Sequence, residues 1–162
     1  MAGRKRRLLT VAPGEFELGT DGPSVILVGI DESVTASRAG AYAAGLARRQ
    51  GARVVAVYVQ TAGSYVITSS AGASVLAAEA EAHEEIAAEL SAQAEERARE
   101  LGIAMTFITT KGDPYHEISR IAAETRADAI VVGASLKAGH RLLGSLAVRL
   151  VRAGKWPVTV VP

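Results

Sequence analysis

The segment from Val131 to Val151, VVGASLKAGHRLLGSLAVRLV, brings together the residue types that hold an anion. An apolar run stops at Gly133, a polar loop carries Lys137, His140 and Arg141, and Gly144-Ser145 opens an amphipathic stretch. Free backbone N–H groups at a helix start attract negative charge, and glycine lets a phosphate approach the backbone closely. Far away in sequence, Asp31 directly follows a second apolar run, where its carboxylate can accept hydrogen bonds from a ribose or a base. Each feature also has a plainer reading. Asp31 can be a turn residue ahead of a helix, Gly144-Ser145 an ordinary helix start, and the loop cations solvated side chains.

Other chemistries find little in the chain. Gly29-Ile30-Asp31-Glu32-Ser33 lacks the glycine spacing of a dinucleotide fold, and no Walker loop ending in Gly-Lys-Ser/Thr occurs. This disfavours a nicotinamide dehydrogenase or a P-loop enzyme. His83, His116 and His140 are widely spaced, and surface roles are expected for His83 and His116. With no cysteine, disulfides, thiolate metal sites and a thiol nucleophile are excluded. There is no Gly-x-Ser-x-Gly elbow, and Ser145 has no evident base, so no catalytic residue is assigned and slow hydrolysis of a bound nucleotide is the most that is expected. Magnesium would accompany a nucleotide mainly through phosphate oxygens.

The elements that must position these residues alternate along the chain. SVILVGI (24–30), ARVVAVYVQ (52–60), IAMTFITTKG (103–112), DAIVVGA (128–134) and WPVTVV (156–161) read as strands, each short, apolar and largely β-branched. Between the first two, Ala39, Tyr42, Ala43, Leu46 and Ala47 recur at helical spacing, with Ser33 as N-cap and Gly51 as terminator. After a Ser/Gly/Ala-rich connection from Thr61 to Ala73, Ile86, Leu90, Ala94, Ala98 and Leu101 form one stripe of a long helix ending at Gly102. Asp113 caps the next helix with Pro114 at its first position, and the last helix runs from about Ser145 to Ala153, closing on Gly154. Strand–helix alternation predicts an α/β fold, a parallel sheet with helices on both faces, since parallel strands need crossovers. Ligands in such sheets bind at the carboxyl ends of the strands, where the winding reverses. If strand 1 lies beside strand 4, Asp31 and Gly133 face that crevice.

A length of 162 residues with 49% apolar content suits one domain. No run approaches the roughly 18 apolar residues of a spanning helix, and no secretory signal is evident, which predicts a cytoplasmic protein. The net charge is only +1, but Arg4, Lys5, Arg6 and Arg7 are clustered. Residues 1–22 are expected to be a basic, partly disordered leader, and 23–162 the folded domain. With aromatics at 4% and no basic stripe beyond the leader, base stacking on nucleic acid is not expected.

From Ser24 to Pro162 the chain resembles the universal stress protein family. The likeness rests on ILVGIDES at strand 1, VVAVYV at strand 2, KGDPYHEI before the third helix, and VVGAS with LLGSLAVRLVRAGKWPVTVVP at the end. The resemblance implies an open, doubly wound, Rossmann-like five-stranded sheet in the order 3-2-1-4-5. It also implies a homodimer built through the last strand, Val158 to Val161, and an adenine nucleotide site in the ATP-binding branch. That site would place adenine at Asp31 and the backbone around Val59, and phosphates at Gly133, Gly144 and Ser145. The branch's loop pattern is G-x2-G-x9-G-S/T, and here the chain departs from it. Leu136 stands at the second glycine position, and Gly144 comes two residues early. A side chain at 136 obstructs close backbone approach, and two residues amount to roughly 7 Å of chain reach. Lys137, His140 and Arg141 are candidates to supply phosphate contacts instead.

Two functional readings follow. One is a regulatory stress-response module that binds ATP, with magnesium, or another adenine nucleotide. The other is a dimeric interaction domain of the same family that binds an unidentified protein partner without nucleotide. A nucleotidyl transferase of similar topology is the weakest reading, because its phosphate-loop signature is missing. The dimer has a basis in sequence as well: the β-branched last strand would form an exposed sheet edge, which pairing with a second copy resolves.

Overall fold

Short β-branched runs alternate with helical repeats, and the chain builds its elements in that order. The computed structural model describes residues 22–61, 71–134 and 145–162. In them β1 (Val25–Ile30), α1 (Val34–Gln50), β2 (Arg53–Gln60), α2 (Ala71–Leu101), β3 (Met105–Lys111), α3 (Pro114–Glu124), β4 (Ala129–Gly133), α4 (Ser145–Ala153) and β5 (Val158–Val161) follow one another. The expected strands are all present, trimmed by a residue or two at their ends. The long helix begins at Ala71, inside the stretch expected to be a connection. Residues 1–21 of the expected basic leader lie outside the described residues.

All strand pairs are parallel, and the sheet runs β3-β2-β1-β4-β5, the expected doubly wound order. Alternation along the strands sends side chains to two faces. On one face Ile26, Val28, Val54, Ala56 and Val131 pack against Ala39, Ala43 and Ala47 of α1. The alanine stripe leaves little between helix axis and sheet, so α1 sits low over β1 and β4. On the other face Leu27, Val55, Val57, Ile130 and Val132 meet Ile118, Ile121 and Ala122 of α3 and Ala147 and Leu150 of α4. Full burial of each Ile, Leu or Val here contributes about 1.5–3 kcal/mol. The central strands are therefore apolar on both faces, which is why they read as continuous runs rather than alternating ones.

Local signals fix the helix ends. The Ser33 hydroxyl accepts from the Ala36 N–H at 3.1 Å, and Gly51 closes α1 in the left-handed region at φ 66°. Asp113 caps α3 by accepting from the His116 N–H at 3.0 Å, with Pro114 next. After α3 the left-handed position falls on Arg126, at φ 52°, where glycine is the usual occupant. Among the described residues no helix is long and apolar enough to cross a membrane.

Candidate functional site

The register of the central strands opens a crevice. β1 stays paired with β2 up to Ile30↔Tyr58, but its pairing with β4 ends at Val28↔Val131. β4 meanwhile continues along β5 to Gly133↔Val161. Beyond Val28 and Val131 the two inner strands part, because α1 leaves β1 over one face while the chain after β4 leads to the other. This is the winding reversal where α/β proteins hold ligands.

Asp31 and Val59 lie next to each other at this edge, each one position beyond the Ile30↔Tyr58 pair. Asp31 is exposed, and its Oδ1 accepts from the Ser33 N–H at 2.8 Å. The turn reading of Asp31 therefore holds, and it uses one carboxylate oxygen. Oδ2 has no hydrogen-bond partner among the described residues. Val59 is half-buried on the same face as Val55 and Val57, against the cluster that α3 and α4 complete. Ser145 opens α4 on this same side of the sheet, so the start of α4 and the Val59 side chain share one face.

Gly133 lies across the parting, and its requirement is spatial. A Cβ on it would sit 2.6 Å from the carbonyl carbon of Thr35 and 2.7 Å from the Ala36 nitrogen, distances that real Cβ atoms do not show. Its backbone is outside the left-handed region. The first turn of α1 thus rests directly on the end of β4. Thr35 is buried there, with its hydroxyl 3.1 Å from the Ser33 hydroxyl. Leu136, Lys137, His140, Arg141 and Gly144 lie outside the described residues.

A second group of side chains gathers beside the crevice, between α3 and α4. Arg149 donates to Asp113 Oδ2 at 2.9 Å, its guanidinium carbon lies 4.2 Å from the centre of the Tyr115 ring, and Nη2 is 3.5 Å from His116 Nε2. The hydrogen bond from Arg149, supported by the His116 N–H, holds the Asp113 carboxyl below the ordinary aspartate value and outweighs the opposing effect of burial. Next to it, Arg120 and the Thr110 hydroxyl, at 2.7 and 2.6 Å, hold the Glu117 carboxyl below its ordinary value. His116 is exposed, as expected. Sequence reading picked out Asp113 only as a cap and passed over Arg149. The signal in sequence is faint: one cation in the first turn and a half of a short helix.

His83 departs from expectation. It is half-buried rather than a surface residue, and its Nδ1 lies 2.9 Å from the Tyr58 hydroxyl, tying α2 to β2. Burial, together with the nearby Glu32 and Asp31 carboxylates, pushes the Tyr58 hydroxyl above its ordinary value. The signal missed was the tyrosine in an otherwise aliphatic strand, since a buried Tyr hydroxyl needs a partner. Among the described residues no group of His, Asp or Glu is arranged to hold a metal ion. A magnesium ion at this edge would have to be held chiefly by phosphate oxygens and water.

Comparison with known proteins covers the whole of this architecture. The model of the universal stress protein family matches residues 24–162. A universal stress protein of Methanocaldococcus jannaschii is 30% identical over 138 residues, spanning 84% of this chain and 80% of that protein. The structure of the universal stress protein UspA from Lactobacillus plantarum is 27% identical, with a TM-score of 0.71 over 86% of this chain and 97% of its own. A universal stress protein solved in complex with cAMP shares the fold at 24% identity, TM-score 0.66, covering 88% and 99% of the two chains. Two others share it at TM-scores of 0.59 and 0.58: one from Archaeoglobus fulgidus in complex with dAMP, and one from Arabidopsis thaliana with AMP bound.

Proposed function

The chain belongs to the universal stress protein family, and from that premise we propose that it is a regulatory stress-response module that binds an adenine nucleotide in the crevice between β1 and β4. The single observation that carries the reading is the parting of β1 from β4 beyond Val28 and Val131, with the Asp31 carboxylate on its rim. Support comes from relatives of the same fold solved with cAMP, dAMP and AMP, all adenine nucleotides. In this reading Asp31 Oδ2 accepts from the ribose or base, and the backbone around Val59 meets adenine. Gly133, Gly144 and Ser145 take the phosphate end, with Lys137, His140 and Arg141 as further cationic contacts. ATP with magnesium is the proposed fullest ligand, the metal being carried on phosphate oxygens.

A cytoplasmic homodimer joined through Val158 to Val161 completes the proposal. β5 pairs only with β4 and is a sheet edge, as β3 is on the other side. All four β5 side chains are half-buried, and an apolar unpaired edge of this kind is an association site.

A second reading, an interaction domain that dimerises without nucleotide, draws on two specific observations. Asp31 and Gly133 both have structural duties, one in the turn at Ser33 and the other under Thr35. Leu136 and the early Gly144 depart from the family's phosphate loop as well. Calorimetric titration with adenosine, AMP, ADP and ATP with magnesium separates the two. Saturable binding supports the first reading, and absence of heat together with absence of copurifying nucleotide supports the second.

A further inference from the structure

The two ends of the proposed site are linked by a short chain of contacts through α3. The Gly112 N–H donates to the Gln60 carbonyl at 3.0 Å, so the turn that leads into α3 hangs from the residue next to Val59. Asp113 follows immediately, caps α3, and accepts from Arg149 of α4. Arg149 is one helical turn after residue 145, where α4 begins. The path therefore runs from the strand end expected to meet the base, through Gly112 and Asp113, to the helix start expected to meet the phosphates.

Three independent contacts hold the Arg149 end of that path. Nη1 bonds Asp113, one face of the guanidinium lies over Tyr115, and Nη2 approaches His116. Tyr115 itself packs on the core cluster beneath α3 and α4, so the guanidinium rests on a fixed platform. A planar fork that is bonded and stacked fixes position in a way that a mobile surface cation does not. α4 has nine residues, and the tie at Arg149 adds to the burial of Ala147 and Leu150 in holding its first turns.

We propose that Arg149 is a positioning residue for the phosphate end: tied to Asp113 and stacked on Tyr115, it sets the distance between the start of α4 and the end of β2, and so favours nucleotides that carry a di- or triphosphate over the nucleoside. The inference rests on the adenine-nucleotide reading and deepens it. Arg149 acts through the helix start and need not touch the ligand.

The test is calorimetric titration of the full chain and of Arg149→Ala, Arg149→Met and Arg149→Lys with adenosine, ADP and ATP, with hydrogen exchange at the α4 amides that bond to its first-turn carbonyls. The variants Arg149→Ala and Arg149→Met should lose about fivefold in ADP and ATP affinity, with adenosine changed less than about twofold. Arg149→Lys should recover part of the loss, since it keeps the charge and loses the fork and the stack. Exchange at the amides of residues 149 to 151, which bond back to the carbonyls of the first turn, should rise in the Ala and Met variants. Equal losses for adenosine and ATP, or no loss for either, would overturn the proposal while leaving nucleotide binding intact. Failure of the unaltered protein to bind any of the ligands would overturn the nucleotide reading and this inference with it.

Discussion

Gly133 and Thr35 meet backbone to backbone: a Cβ on the glycine would lie 2.6 Å from the Thr35 carbonyl carbon. The contact seats the first turn of α1 on the end of β4, two residues beyond the last β1–β4 pair. The glycine that a phosphate loop would begin with is therefore already required by the packing of a helix on the opposite face.

Replacing Gly133 by alanine should accordingly destabilise the fold whether or not a nucleotide is bound. The neighbours are backbone atoms and cannot rotate away, so the cost is that of overpacking, about 1–3 kcal/mol. Urea unfolding would show it as a lower midpoint at unchanged slope. An unaltered midpoint would mean that α1 sits farther from β4 than described.

The Tyr58 hydroxyl and His83 Nδ1 form the hydrogen bond that ties α2 to β2. Tyr58→Phe removes the hydroxyl and leaves the half-buried imidazole nitrogen without that partner, a loss of about 1 kcal/mol. Thermal or urea unfolding measures the loss. In the unaltered protein, a spectrophotometric titration should show one tyrosine ionising above the ordinary value, as burial and the Glu32 and Asp31 charges require, and that transition should vanish in Tyr58→Phe.

Asp113 gives the pH dependence a defined sign. Arg149 lowers its folded value below the unfolded one, so the contribution to stability is fully present above the unfolded aspartate value, about 3.9, and is lost as pH falls through the lowered folded value. The carboxyl carbon of Asp113, followed by NMR, should titrate below the ordinary range and move up toward it in Arg149→Ala. The same substitution should flatten the part of the acid denaturation curve that lies below about pH 4. An Asp113 midpoint that ignores Arg149 would contradict the geometry.

The free edge at β5 carries the prediction of association. Sedimentation equilibrium at micromolar concentration should give a mass near twice 16.8 kDa. A mass near the single-chain value would remove β5 pairing from the account.

Most of the architecture was legible in the residues, and the reasons are local. Ser33, Gly51, Asp113, Pro114 and Gly154 mark helix ends by chemistry that needs no tertiary context, and all of them mark real ends. The continuous apolar runs identified the strands because both faces of a parallel sheet are covered. The order β3-β2-β1-β4-β5 came from family resemblance, since periodicity carries no information about which strands are neighbours. What could not be read was anything that depends on two elements meeting. The Tyr58–His83 bond spans 25 residues and the Asp113–Arg149 bond 36, and neither residue type signals a partner at that distance. The packing duty of Gly133 was hidden for the same reason: in sequence it ends a strand ahead of a loop, while in space it also carries the first turn of α1. Lys137, His140, Arg141 and Gly144 fall outside the described residues, so their assignment to phosphate stands as a proposal.

Titration of ATP with magnesium into the unaltered protein and into Asp31→Asn tests the central claim most directly. Asparagine keeps the oxygen that accepts from the Ser33 N–H and removes the carboxylate charge, so the turn survives and the ligand contact is weakened. The account predicts saturable binding at one site per chain, with affinity lower by about tenfold in the variant, the loss expected for one charge-assisted hydrogen bond. No detectable binding to the unaltered protein, or equal affinity in the two, would contradict it.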